Sequence, residues 1–286
     1  ITALYMKPSI IFTLIISLLA YQASKAQSIS NIINFADKQF VAGNYENASL
    51  EYNRAYFLGY EKRDELLYKI ASCYFHQSNY NMAGNFFDKA YHFASTDSIA
   101  NEAILAKALC MLMNEKYVVA LAELYNLNDT QINNQLYQSH LINAIANYQL
   151  KNDSASHFAF TQVLKTSNAP DSAFSILDNE FEKIYRYQKR YNPLRAYILS
   201  AIIPGSGQVI SGNFRDGTNS FILVAALAGI SIRIISLYSF WDAAVAILPW
   251  AQRYYIGGME GAEESAIKKI EAERYNSYLQ IIDITN

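Results

Sequence analysis

Hydrophobic and polar positions along the chain change their spacing twice. From about 29 to 170, apolar residues recur at intervals of three and four and are interrupted by short polar turns, which predicts paired amphipathic helices. From 171 to 191 one apolar stripe follows an Asn-Ala-Pro break and predicts a single helix. Beyond Pro193 the apolar residues become nearly continuous, in the stretches 196–203, 221–240 and 243–250. The pattern predicts an all-α fold in two parts.

The first part repeats itself. Segments that begin at Phe35, Ile70 and Lys107 align at spacings of 35 and 37 residues. A fourth copy, from Leu141, has Asp153 where the others have a tyrosine in the turn, and we interpret it as degenerate. The aligned positions hold a small residue in the first helix, a tyrosine at the turn and a small residue in the second helix: Ala36, Ala71 and Ala108; Tyr45, Tyr80 and Tyr117; Ala48, Ala83 and Ala120.

This pattern resembles the tetratricopeptide repeat, a helix-turn-helix with a period of 34 residues. The resemblance covers residues 27–170 and implies a helical solenoid whose first helices line a groove for a protein partner. The lysines and asparagines with which the family clamps a terminal carboxylate are absent, so we expect an apolar helix or extended segment as ligand. Alternatively, the protein's own later helix fills the groove. The groove positions carried over are Ile33, Asp37, Phe40, Tyr68, Ser72, Phe75, His76, Leu105, Leu109, Leu112, Met113, Leu141, Ile145 and Tyr148.

The amino end has the three parts of a secretory signal peptide. Lys7 follows Met6, an apolar run extends from 10 to 20, and small residues precede Gln27. We therefore predict a leader over 1–26 with Met6 as the true start. An uncleaved anchor is the alternative, although the apolar run is shorter than the ~20 residues that cross a bilayer. Either way, the repeats are expected outside the cytoplasm, in the periplasm of a bacterial cell envelope.

The second part has the features of a membrane domain. Residues 171–193 are predicted to cap the repeats and to link them to a helical membrane domain over 194–286. Within that domain, residues 218–238 are long enough to cross the ~30 Å hydrocarbon core. Arg233 interrupts the apolar run, and its side chain is expected either to reach the membrane interface or to pair with Asp242 across a helical hairpin, a structural ion pair being favoured over a conduit. Residues 262–282 are predicted to form a solvated amphipathic helix at or beside the membrane surface.

A glycine-rich motif stands between the first two apolar stretches. It lacks the features of a phosphate loop or a nucleophile elbow. It resembles a small membrane domain of unassigned chemistry that follows repeats in bacterial envelope proteins. The resemblance implies a re-entrant loop or tight hairpin in which the glycines permit close backbone packing. The motif comprises Pro204, Gly205, Gly207, Gln208, Gly212, Asp216 and Gly217.

Composition and charge narrow the function. A net charge of −2 with pI near 6.1 excludes the basic surface of a nucleic-acid binder, and 52% hydrophobic against 17% charged residues favours contact with lipid. We predict two buried thiols at Cys73 and Cys110, and no catalytic, metal or cofactor site, hence no enzyme. The sequence favours a membrane-tethered scaffold that binds envelope proteins and lipid. The alternative is a channel, transporter subunit or lipid-handling module regulated by the repeats.

Overall fold

The computed structural model describes residues 29–128 and 132–285, and α-helix is the regular secondary structure throughout those ranges. The predicted leader over 1–26 lies outside them. Contacts divide the chain into two compact units, Ile1–Ser167 and Asn168–Asn286. The prediction of an all-α fold is confirmed.

The first unit is a series of helices in which consecutive helices from the second to the eighth pack against each other. The helices pair as the sequence predicted, and the pair from the fourth copy is complete. They are α1 (29–41), α2 (Tyr45–Phe57), α3 (Arg63–His76), α4 (Tyr80–Phe93), α5 (Asp97–Met113), α6 (Tyr117–Leu124), α7 (Asn133–Gln149) and α8 (Asp153–Thr166).

The turn within each pair has the same conformation in all four copies. Gly43, Ser78, Glu115 and Lys151 occupy equivalent places, and each has a positive φ between 58° and 79°. In the first copy Gly43 N–H donates to the Phe40 carbonyl and Asn44 N–H to the Gln39 carbonyl, a Schellman ending. The same two hydrogen bonds recur in the other three turns. The repeat is therefore a property of the backbone and extends to the copy whose turn lacks tyrosine.

Small residues bring the two helices of each pair together. The repeat alanines of α1 to α6 are fully buried, which lets the helix backbones approach closely. In the fourth pair Ser156 replaces the alanine, and its hydroxyl donates to the carbonyl of Ala144 at 3.0 Å. Large side chains four residues further on, such as Tyr52 and Phe160, fill the space between helices and are also buried.

In the second unit one long helix contacts all the others. The unit comprises α9 (Asp171–Arg190), α10 (Pro193–Ile202), α11 (Ser206–Ile210), α12 (Phe214–Leu237) and α13 (Phe240–Thr285). The apolar stripe of α9, expected to cap the repeats, packs on α13 through Leu177 and Ile184. The helix predicted over 262–282 is part of α13, which continues unbroken from Phe240 through its Gly257-Gly258 pair.

Candidate functional site

Three predicted groove residues belong to the protein's own core. Leu105 and Leu112 pack with Ile142 of the next pair, and Tyr148 is buried as well. Their side chains are more than nine-tenths buried, and at Leu105 and Leu112 the cause is the next first helix, which packs where a groove was expected. In this conformation they are not accessible to a partner.

A second group of predicted groove residues forms an aromatic cluster at the turns. Phe40 meets Tyr45 edge to face at 5.3 Å between ring centroids, and Phe75 meets Tyr80 in the same way at 5.3 Å. The His76 ring joins the two pairs, since it stacks on Tyr45 at 4.7 Å. Each turn tyrosine therefore packs on the end of its own first helix and helps to hold the pair in register.

Three predicted groove residues on the repeats keep accessible surface. Met113 is 47% exposed, and Leu109 and Tyr68 are half-buried at the same side of the first helices. Asp37, by contrast, accepts hydrogen bonds from Lys69 at 3.0 Å and from the Tyr52 hydroxyl at 2.5 Å. It is thus engaged in joining the first pair to the second.

Lys107 ties three helices of the first unit together. Its ammonium group lies 2.7 Å from Asp88 on α4 and 2.9 Å from Glu123 on α6. Burial alone would lower the pKa of Lys107, but the hydrogen bonds to both carboxylates raise it overall. This charge is bound to its neighbours and holds successive helices in place.

Cys73 and Cys110 are free, buried thiols, as predicted. Burial raises the pKa of each thiol to about 12. Neither residue therefore has the thiolate character of a nucleophile or a metal ligand. Within residues 29–128 and 132–285, no three His, Cys, Asp or Glu side chains are grouped to hold a metal ion.

The glycines of the motif permit backbone contacts that no larger residue would allow. Gly205 has φ +86°, and a Cβ atom there would lie 1.9 Å from the Gly217 carbonyl oxygen. A Cβ atom on Gly207 would lie 2.1 Å from the carbonyl oxygen of Ala196. The close backbone packing expected of these glycines is present, and the motif contains a short helix. Ser206–Ile210 is the short helix α11, which packs on α10, α12 and α13.

Gln208 joins three helices through a buried hydrogen-bond network. Its side-chain amide donates to the Gly258 carbonyl of α13 at 2.7 Å and accepts from the Ser200 hydroxyl of α10 at 3.1 Å. The Ser200 hydroxyl also accepts from the Gly207 N–H at 2.9 Å. With 3% of its surface exposed, Gln208 is a structural centre of the second unit.

Asp216 and Gly217 lie inside α12, in its first turn. The helix begins at Phe214 after the N-cap Asn213, whose amide donates to the Asp216 carboxylate at 2.6 Å. Asp216 and Gly217 therefore lie at the start of α12 and not in the turn before it. Gly212 supplies the positive φ, +82°, that ends α11 and starts this turn.

α12 is the apolar helix that the sequence predicted. Phe214–Leu237 is the described helix long and apolar enough to cross a membrane, and none of the residues in its most apolar window is buried. At 24 residues it is about 36 Å long. It packs on the first part of α13, which exposes large apolar residues of its own, among them Trp241, Val245, Leu248 and Trp250. The two helices form a hairpin closed by Tyr238 and Ser239.

The predicted ion pair between Arg233 and Asp242 is not formed. The Asp242 carboxylate accepts a hydrogen bond from the Ser239 hydroxyl at 2.7 Å, and Asp242 N–H donates back to that hydroxyl at 3.2 Å. This capping interaction starts α13. Arg233 is exposed on α12 and makes no ion pair with any residue that the structure describes.

A cavity of about 740 Å³ lies at the foot of the hairpin and was not predicted from the sequence. It is lined by α11, α12 and α13, and its cations are Arg253, Lys268 and Lys269. The signal that could have indicated it is the Gly257-Gly258 pair followed by Gly261 within a helix. Glycines so placed leave one face of that helix without side chains.

Comparisons with known proteins add no identification. No family model matches the sequence, and neither the curated proteins nor the solved structures show a significant match.

Proposed function

We propose that this protein is a membrane-tethered scaffold of the bacterial envelope, in which the repeats hold a protein partner near the bilayer. The observation that carries the proposal is the exposure of α12. A helix of about 36 Å with an outward apolar surface costs free energy in water and gains it in lipid. The neighbouring stretch of α13 adds exposed aromatic residues at the tip of the hairpin.

The hairpin favours a topology in which the chain enters the membrane and returns to the same side. Because α13 returns beside α12, it carries the chain back to the side from which it entered. Far beyond the hairpin, the Ser277 hydroxyl of α13 donates to the Glu180 carboxylate of α9 at 2.9 Å. The carboxyl end and the segment that follows the repeats therefore belong on one side, which the leader-like segment would make the periplasm.

The repeats supply the surface for a partner in this proposal. Their resemblance to tetratricopeptide repeats, together with the accessible side chains of Met113, Leu109 and Tyr68, supports protein binding at this side. Lipid handling remains the second candidate, and the polar cavity beside the apolar hairpin favours it over a channel.

Flotation with vesicles tests the membrane anchor. The full chain should float with phosphatidylcholine and phosphatidylglycerol vesicles, and replacing the exposed Ile230 and Val245 by lysine should release it, since each lysine costs ~2.5 to 3.5 kcal/mol at mid-membrane. Replacing the equally exposed Val118 and Phe158 of the repeats by lysine is the control. Flotation that survives the hairpin substitutions would contradict the anchor.

Site-specific photocross-linking in cells tests the partner surface. A photoreactive phenylalanine analogue at Met113 should give a discrete cross-linked protein. The same analogue at Leu50, which is exposed on α2, should give none. Identical cross-links from both positions, or none from Met113, would contradict the proposed surface.

A further inference from the structure

The cavity at the foot of the hairpin is elongated. The short helix α11 forms its floor, and α12 forms one wall from Asp216 to Leu223. The opposite wall is one face of α13, where lining residues recur every three or four positions from Arg253 to Ala272. That face extends about 28 Å at 1.5 Å per residue. The cavity is thus a groove along α13, with Arg253 at one end and Lys269 at the other.

Small residues keep the groove open. A Cβ atom on Gly257 would have no atom within 4 Å, so the space beside it is unfilled. Gly261 lies further along the same face, where a Cβ atom would come no closer than 3.6 Å to Gln208. Between the charged ends the lining combines glycines with neutral polar side chains, among them Asn213, Asn219, Ser265 and Tyr254. Such a lining offers both donors and acceptors of hydrogen bonds.

The groove has an excess of unpaired positive charge. Of its two carboxylates, Glu264 already pairs with Lys268 at 2.7 Å, and Asp216 accepts a hydrogen bond from Asn213. Arg253 and Lys269 form no ion pair within the described part of the chain. Asp216 keeps its negative charge and acts on Lys268, so an anionic group would be attracted most to the end at Arg253.

Arg253 lies where the apolar hairpin gives way to the polar foot. It is 14 residues from Ser239 at the turn, about 21 Å along α13. On the hairpin side it adjoins Leu223 of the groove and Trp250, whose ring stacks on Tyr254 at 6.3 Å. Measured from the tip, a ~30 Å hydrocarbon core would end about 9 Å beyond Arg253, so its exposed side chain, with aromatic rings beside it, would extend toward the headgroups from within the core.

We propose that this groove binds the headgroup of an anionic phospholipid, with its phosphate at Arg253, its acyl chains along the α12–α13 hairpin and the remainder of its headgroup in the polar part of the groove. The proposal rests on membrane insertion of the hairpin. A phosphate diester suits the site because guanidinium binds phosphate oxygens bidentately. The acyl chains of a lipid would contact the apolar surface next to Leu223. A soluble phosphate ester has no group that would contact it.

Quenching of Trp250 fluorescence tests the proposal, since the chain has two tryptophans and Trp250 adjoins the groove. The full chain with Trp241→Phe is reconstituted with lipids brominated on the acyl chains, either phosphatidylglycerol or phosphatidylcholine. Brominated phosphatidylglycerol, diluted in unlabelled phosphatidylcholine, should quench Trp250 more strongly than brominated phosphatidylcholine at the same fraction. Arg253→Gln should lower this lipid preference about fivefold.

Two controls separate a specific site from general charge attraction. Lys189→Gln removes an exposed cation of α9 outside the groove and should leave the preference unchanged. The Trp250→Phe variant, which reports from Trp241 at the tip, should show no preference for either lipid. A preference that Lys189→Gln abolishes as fully as Arg253→Gln would overturn the proposal. Circular dichroism verifies that each variant is folded.

The outcomes distinguish this inference from the proposed function. Equal quenching by both lipids overturns the headgroup site and leaves the membrane anchor intact. Absence of quenching by either lipid overturns the anchor and the site together. Soluble glycerol phosphate at millimolar concentration should leave the preference unchanged, and its loss on that addition would assign the groove to a soluble phosphate ester and overturn the lipid assignment.

Discussion

The repeat pairs and the α12–α13 hairpin are both rich in apolar residues but use them in opposite ways. In the repeats, alanines at the helix crossings and large side chains such as Phe160 are buried in contacts within the chain. In the hairpin, residues of the same chemical type, such as Ile230 and Val245, face outward. Apolar content by itself therefore says little about stability in water, because the environment of each side chain decides its contribution.

The largest expected effect concerns packing within the repeats. Phe160→Ala removes a fully buried ring from α8 and should lower the free energy of unfolding by ~3 to 5 kcal/mol. Phe158→Ala, two residues away on the same helix and 67% exposed, is the matched control and should change it by less than about 0.5 kcal/mol. Urea unfolding followed by circular dichroism measures both. Similar losses for the two variants would mean that α8 is not packed as described.

The rate at which cysteines react with a maleimide can distinguish side chains buried by protein packing from side chains covered by lipid. At pH 8, Cys73 and Cys110 should react with a maleimide about a thousandfold more slowly than a free thiol, with or without vesicles, since burial raises the pKa of each from 9.0 to about 12. A cysteine at position 230, with both native cysteines replaced by alanine, should be protected only when vesicles are present. Vesicle-dependent protection of the native thiols would contradict the comparison.

The same thiols make a pH prediction for the repeats. Because the folded-state pKa is higher than the unfolded one, folding favours the protonated thiols, and this stability is complete below about pH 9. The free energy of unfolding should fall as the pH rises from about 9 to 12. Replacing both cysteines by alanine should reduce this fall, and denaturant titrations at pH 8 and pH 10.5 check the difference.

Two glycines of the second unit compare its packed foot with the outward surface of α12. Gly207→Ala would place its methyl carbon 2.1 Å from the Ala196 carbonyl oxygen, so the backbone must shift at a cost of about 1 to 3 kcal/mol. Gly229→Ala, on the outward surface of α12, would meet no atom within 4 Å and should be neutral or slightly stabilising. Thermal unfolding in detergent measures the two variants, and equal effects would contradict the packing of the foot.

The smallest effects concern the turns of the repeats. Ser78→Gly and Glu115→Gly place glycine where the chain already has a positive φ, and each should raise the free energy of unfolding by about 1 kcal/mol. Gly43→Ser makes the reverse change and should lower it by a similar amount. Thermal melts of the three variants are the measurement. Destabilisation by Glu115→Gly would show that the left-handed turn is not conserved in the third copy.

The sequence predicted the repeated helix pairs well because their positions are fixed locally. Ala71 and Tyr80 recur at constant spacing, and such spacing determines which residues meet within a pair. It could not predict that Leu105 and Leu112 would be buried, because that depends on how closely the next pair approaches. The partner of Asp242 was also not predictable from the sequence. Its carboxylate accepts a hydrogen bond from the nearby Ser239 at the helix start and forms no ion pair with the more distant Arg233.

The groove at the foot could not be predicted for a related reason. Arg253 and Gly212 are 41 positions apart, and they face one space only because Gln208 fixes α11 against Gly258 of α13. The motif glycines indicated close packing correctly, whereas the helix that they pack against was not identifiable from spacing.

α13 is a single helix of 46 residues, about 69 Å from end to end. One end carries the tip of the hairpin, and near the other end Ser277 is fixed to the buried carboxylate of Glu180. Because the helix is continuous, the distance between the hairpin tip and α9 is fixed. The depth of the tip in the bilayer therefore also determines the height of α9 above the bilayer. Any force that pulls on α9 would be felt directly by the lipids around Trp241.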